Sequence, residues 1–290
     1  MNSPTIVLSS KKPSASQWAA LLNLLADDDP AVYQTVRKEI LSLGPEAGDE
    51  LRSHVLSADP VLRRRVREII RHFEQQDADT KFLGFCLKHG EEFDLEKAAW
   101  LFARTEYPDI NIDGYRALLD GYAEELRERI HDAADANDIL IAINKYLFTD
   151  LGFVGDEVNY YDPENSYLNR VIDRRAGNPI NLCLLYLLLA RRLQLPMTGV
   201  GLPGHFICRY QSSSDEIYVD AFNRGQRLSK ADCIQYLLNA NQSLRDDFLS
   251  PLSSRRLLTR NCTNLHKIYL QLKLSSKATR LQRYIVALAR

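Results

Sequence analysis

The segment that most restricts the fold of this chain lies between Asn178 and Asp220. Asn178-Pro179 is followed by INLCLLYLLLARRLQ, and the run stops near Pro196. An asparagine side chain accepts hydrogen bonds from the free N–H groups of a helix start. Proline fits the first helical position, where its missing N–H removes no bond. The run is apolar on nearly every face, which predicts the buried central helix of a domain. Met197 to Gly201 then reads as a short strand, followed by the turn Leu202-Pro203-Gly204. His205 to Tyr210 reads as a second strand, Gln211 to Ser214 as a polar turn, and Asp215 to Asp220 as the returning strand.

A four-residue turn at Gln211–Ser214 implies a register. It sets Tyr210 opposite Asp215, Arg209 opposite Glu216, Ile207 opposite Tyr218, Phe206 opposite Val219 and His205 opposite Asp220. The register opposes Arg to Glu and apolar to apolar. Facing residues sit about 4.5–5.5 Å apart at Cα, so His205 and Asp220 are expected within hydrogen-bond reach. A carboxylate beside an imidazole fixes its tautomer and stabilises its charged form, the base and orienter of a catalytic triad. The plainer alternative is a cross-strand polar pair. Cys183 lies about one turn inside the preceding helix. Its helix start favours a thiolate, while Leu182, Leu184 and Leu187 around it favour a buried thiol. Cys208 is expected to face away from His205 by strand alternation.

Upstream the pattern is helical. Asp29-Pro30, Val36-Arg37 and Ile40 return thirty residues on as Asp59-Pro60, Val66-Arg67 and Ile70. Asp caps and Pro opens each helix, so the first 78 residues read as a short pair of HEAT-like repeats. The run Arg63-Arg64-Arg65 with Arg67 and Arg71 reads as a solvated helix face. Leu95, Ala98, Ala99 and Phe102 recur at helical spacing, and Glu106-Tyr107-Pro108-Asp109 ends that helix. Further helices are expected from Asp113 to about His131 and from Asn137 to Phe148. Gly152 to Asn165 reads as a loop.

Net charge is −1, so nothing global draws the chain to nucleic acid or anionic membrane. The opening MNSPTIVLSSKKPSASQW lacks the apolar core of a signal peptide. The longest apolar run, Leu182 to Ala190, is too short to span a bilayer. Five scattered cysteines without a CxxC pair suit reduced thiols of the cytoplasm. No metal-ligand spacing is evident, and neither metal nor cofactor is expected.

These residues resemble the transglutaminase-like superfamily, and more closely its bacterial SirB invasion-regulator family. The resemblance is carried by Asn165-Ser166-Tyr167-Leu168-Asn169, by Arg174 to Ile180 (RRAGNPI), by Gly199 to Phe206 (GVGLPGHF), and by Asp220 to Gly225 (DAFNRG). Glu106-Tyr107-Pro108 also looks like that family. The resemblance implies a predominantly helical α+β fold with a transglutaminase-like (papain-like) core at 79–235. It also implies a tetratricopeptide-like helical region at 236–290, where Arg260 to Leu288 has a helix-turn-helix look. In the superfamily a cysteine at the N-terminus of the central helix works with a His and an Asp on successive strands. Counted back from Leu195-Pro196, that cysteine position falls on Pro179, and Cys183 follows one turn later.

Two functions follow. One is a regulatory scaffold with a degenerate catalytic core, binding a protein partner through its helical repeats. The other is a thiol enzyme of amide hydrolysis or acyl transfer. There Cys183 would be nucleophile, His205 base and Asp220 orienter, with Asn165 or backbone N–H groups near Asn178 at the oxyanion. Nucleic-acid binding rests only on Arg63 to Arg71 and is not expected.

Overall fold

Helix starts follow the caps read from the sequence. The computed structural model describes residues 13–240 and 249–290. The first twelve residues, read above for a signal peptide, and positions 241–248 of the C-terminal region lie outside them. The chain divides into two compact units, Met1–Asp79 and Thr80–Arg290.

The first unit contains α1 (Ala15–Leu25), α2 (Pro30–Ser42), α3 (Glu46–Arg52) and the start of α4 (Pro60–Lys88). Asp29 accepts from the Ala31 N–H and opens α2, and Asp59 accepts from Val61 and Leu62 and opens α4. The thirty-residue repeat thus corresponds to two identically capped helices. Val36 and Ile40 of the first copy and Val66 and Ile70 of the second share one core with Leu25 and Leu51.

The arginine run departs from a uniformly solvated face. Arg64, Arg67 and Arg71 are exposed, but Arg65 is buried and donates to the carbonyls of Leu25 (2.8 Å) and Asp27. The Leu25 carbonyl ends α1 and the Asp27 carbonyl lies just past its C-cap, where no helical N–H is available to either. A guanidinium supplies several donors in one plane and also lies over the Tyr33 ring.

The second unit is mainly helical with a small antiparallel sheet, an α+β arrangement. After α4 come α5 (Leu95–Arg104), α6 (Ile112–Ile130) and α7 (Ala136–Asn144), which runs into a π-helical turn at Lys145–Asp150. The expected loop from Gly152 is partly ordered. It holds β1 (Val154–Gly155) and a 3-10 turn (Pro163–Ser166), followed by α8 (Leu168–Arg174). β1 pairs in parallel with β2 (Ala176–Gly177). The central helix α9 (Pro179–Arg192) leads into β3 (Met197–Leu202), β4 (His205–Gln211), β5 (Glu216–Asp220) and β6 (Gln226–Leu228), hydrogen-bonded in that order. Helices α10 (Lys230–Asn239), α11 (Ser254–Gln271) and α12 (Ser275–Leu288) follow. α11 and α12 belong to this same unit.

As its sequence requires, α9 is buried almost throughout. Ile180, Leu182, Leu184, Leu185, Leu188 and Leu189 join Phe206, Cys208 and Val219 of the sheet in one core. α10 covers the opposite face through Cys233 and Leu237, against Val200, Leu202, Ile207 and Tyr218.

The hairpin register differs from the sequence expectation by two residues. Cys208 faces Val219, Arg209 faces Tyr218, Tyr210 faces Ile217 and Gln211 faces Glu216. The loop still has four residues but starts one position later, at Ser212. The Ser212 hydroxyl accepts the N–H groups of Ser214 and Asp215, which closes the turn there. A shift of two keeps every side chain on its own face, whereas a shift of one would have inverted them.

Polar side chains anchor the start of α9. Asn178 caps it by accepting the Asn181 N–H (2.9 Å), and its own amide donates to Ser166 Oγ. The Asn181 amide donates to Asn261 Oδ1 of α11 (2.9 Å), and Asn261 donates to the Ser166 carbonyl (3.1 Å). Ser166, Asn178, Asn181 and Asn261 are all buried, so these bonds are made where water is excluded.

Candidate functional site

Pro203-Gly204 joins β3 to β4, with Leu202 paired to His205 across the turn. Gly204 has φ +69°, the left-handed conformation that follows proline in a type II turn. The turn delivers His205 to the end of the sheet. His205 Nε2 lies 2.7 Å from Asp220 Oδ2. Under the observed register the two are diagonal neighbours, and an imidazole is long enough to reach that far. The expected pair is therefore formed, by a different pairing from the one expected.

Asp220 is held on all sides. Its Oδ1 accepts the N–H groups of Phe222 and Asn223, and its Oδ2 accepts the Asn223 amide (2.8 Å) as well as His205. Burial works to raise its pKa, but the bonds from His205 and Asn223 and the His205 charge outweigh burial. The carboxyl is held below its ordinary value. With Asp220 ionised, Nε2 is the ring nitrogen that donates in this bond.

Beside His205 is a cavity of about 410 Å³. It is lined by Asn178, Pro179 and Ile180 from the start of α9, by Pro203, Gly204 and His205, by Tyr160, and by Arg260, Thr263, Asn264 and Lys267 of α11. Sequence reasoning missed the α11 contribution. Arg260 is the principal omission, since it lies 55 residues beyond His205 (260 − 205) and no local pattern links them. Its Nη2 donates to the carbonyls of Leu202 and His205 (2.7 Å), fixing both ends of the Pro203-Gly204 turn. Burial pulls its pKa down.

Cys183 is not among the residues lining the cavity. It is fully buried, and its thiol donates to the Phe206 carbonyl at 3.3 Å. Strand alternation places Phe206 and Cys208 on the face covered by α9. His205 and Ile207 take the face covered by α10, where the His205 and Tyr236 rings are 6.1 Å apart. Burial, with the neighbouring Cys208 and Asp220 adding to it, pushes the Cys183 thiol far above its ordinary pKa. The Cys208 thiol points the same way, toward the Cys183 carbonyl. At the helix start, the residues that line the cavity with His205 are Asn178, Pro179 and Ile180, none of them a cysteine.

Asn165, considered above for oxyanion stabilisation, is fully buried and donates to the Asn159 carbonyl. A backbone donor does remain near Asn178. Pro179 has no N–H and Asn178 takes that of Asn181, so Ile180 keeps the free first-turn N–H among the described residues. All five cysteines are unpaired and buried. No cluster of potential metal ligands occurs among the described residues, and none of their helices is long and apolar enough to cross a membrane.

Residues 113–263 match the transglutaminase-like superfamily. The chain belongs to that superfamily. The match spans α6 to the middle of α11 and so takes in α9, the hairpin and Arg260. A UPF0162 protein of Xylella fastidiosa (strain 9a5c) is 37% identical over 185 residues, covering 62% of this chain and 66% of that protein. UPF0162 protein PA3419 of Pseudomonas aeruginosa is 28% identical over 187 residues, covering 63% and 67%. F-box only protein 21 of Homo sapiens is 34% identical over 137 residues, covering 44% of this chain and 21% of that much longer protein. No solved structure is a significant match. The matched span contains the hydrogen-bonded His205–Asp220 pair and the three residues at the start of α9, Asn178, Pro179 and Ile180, that line the cavity.

Proposed function

We propose that the chain is a SirB-type member of the superfamily whose core binds rather than cleaves. It would act as a cytoplasmic regulatory scaffold, with the HEAT-like start and the α11–α12 pair, read as tetratricopeptide-like, offering surface to a protein partner. One observation carries this reading. Asn178, Pro179 and Ile180 are the α9-start residues that line the cavity with His205, and none carries a thiol, while the Cys183 thiol is buried and bonded to the Phe206 carbonyl. Thiol acyl chemistry needs a sulfur within reach of the base, and proline supplies no nucleophile. The His205–Asp220 pair then serves to shape and polarise a ligand pocket.

The test is to restore a thiol at that position. Pro179→Cys is expected to react rapidly with iodoacetamide near neutral pH, and to lose that reactivity on adding His205→Ala. The unmodified protein is expected to stay unlabelled. An unmodified protein already labelled at Cys183 in a His205-dependent manner would overturn the proposal.

A further inference from the structure

The cavity beside His205 is lined by three basic side chains, His205, Arg260 and Lys267, and by no carboxylate. Asp220 is bound to His205 and Asn223 and to two backbone N–H groups, and is not part of the lining. Arg260 uses one nitrogen, Nη2, for its carbonyl bonds. It has no acidic partner among the described residues, although burial already disfavours its charge. A partly buried guanidinium without a counter-charge is costly, and an anion in the cavity would offset that cost. Ile180, at the positive end of α9, lines the same space. Pro179, Ile180, Pro203 and Tyr160 complete an apolar wall.

From this arrangement we propose that the pocket takes a carboxylate carried on a short aliphatic stem, as found on a peptide. Arg260, Lys267 and the start of α9 would receive the charged head, while the apolar wall takes the stem. A volume of about 410 Å³ suits a side chain or a peptide end. Planar, forked donors suit a carboxylate. The proposal deepens the binding role above and rests on it, since an acyl-transfer site would instead have to admit a neutral amide.

The full chain with 13C-labelled histidine rings reports occupancy through the His205 resonance. The probes are acetyl-Ala-Glu-Ala amide, acetyl-Ala-Gln-Ala amide, and acetyl-Ala-Ala-Ala with a free carboxylate. A saturable shift with the Glu peptide places the carboxylate on a side chain, and one with the third peptide places it at a chain end; either supports the proposal. The Gln peptide is expected to bind at least about tenfold more weakly, as loss of a charge-assisted contact implies. Lys267→Gln, at an exposed position that leaves the fold intact, is expected to weaken the favoured peptide about tenfold. Arg260→Gln should weaken it at least as much. Equal binding of the Glu and Gln peptides overturns the proposal, as does indifference to Lys267→Gln. A response to inorganic phosphate alone, or to none of the probes, overturns it too. The binding role itself fails on a separate reading. Incubation with the Gln peptide would add the peptide mass less ammonia to Cys183, the product of thiolate attack on the carboxamide.

Discussion

Asp220 carries much of the site's internal order, and its pKa gives that order a pH signature. The carboxyl is depressed in the folded protein because its bonds to His205 and Asn223 outweigh burial. A depressed carboxyl contributes stability that is present above its unfolded pKa and lost as pH falls through the folded value. Asp220→Asn is therefore expected to lower stability at pH 7 by about 1–3 kcal/mol. Urea titrations at pH 7 and near pH 3 should show the difference shrinking as the Asp220 carboxyl is protonated, first in the unfolded chain and then in the folded protein. A gap unchanged between the two would contradict the assigned bonds. The His205–Asp220 pair was legible in the sequence because facing parity survives a two-residue error in register. The environment of Cys183 was not legible. One turn of helix separates a cavity wall from a sealed core, and apolar neighbours in sequence do not say which side a thiol meets.

Among the elements, α9 shows how far local pattern goes. Asn178-Pro179 and the apolar run defined its start and its burial, and the observed helix obeys both. What the pattern could not supply was its polar anchorage to α11, through Asn181 and Asn261 eighty residues apart. Asn261→Ala leaves the Asn181 amide without that acceptor in a dry interior, and is expected to cost about 1–3 kcal/mol in chemical denaturation. α11 is also fixed by Arg255, a buried arginine that donates to the carbonyls of Cys86, His89, Ala287 and Leu288. Those groups lie at and beyond the ends of α4 and α12. Arg255→Met removes several bonds to one charged donor, so a loss of about 3 kcal/mol or more is expected. The hairpin register was misjudged by its loop. Ser212 closes the turn with its hydroxyl, and a run of three serines does not reveal which one does so. Even so, Arg209 and Glu216, expected to face each other, meet as diagonal neighbours at 2.7 Å.

On the scale of the whole chain, the thirty-residue repeat and the central helix-hairpin belong to separate compact units. The first has its own core, in which Ile69 is fully buried. Ile69→Ala is expected to destabilise that unit by about 2–5 kcal/mol in chemical denaturation. A stability unchanged by the substitution would contradict the place of Ile69 in that core. The cavity draws on Tyr160, α9, the β3–β4 turn and α11, which are spread over a hundred residues, and only the middle two announced themselves. The central claim is that this transglutaminase-like core has no working thiol, and Cys183 decides it. The most direct measurement is the alkylation rate of Cys183 against pH, read by peptide mass spectrometry with His205→Ala alongside. The account predicts slow modification, confined to high pH or to unfolded protein and indifferent to His205. Rapid modification near neutral pH that disappears with His205→Ala would contradict it.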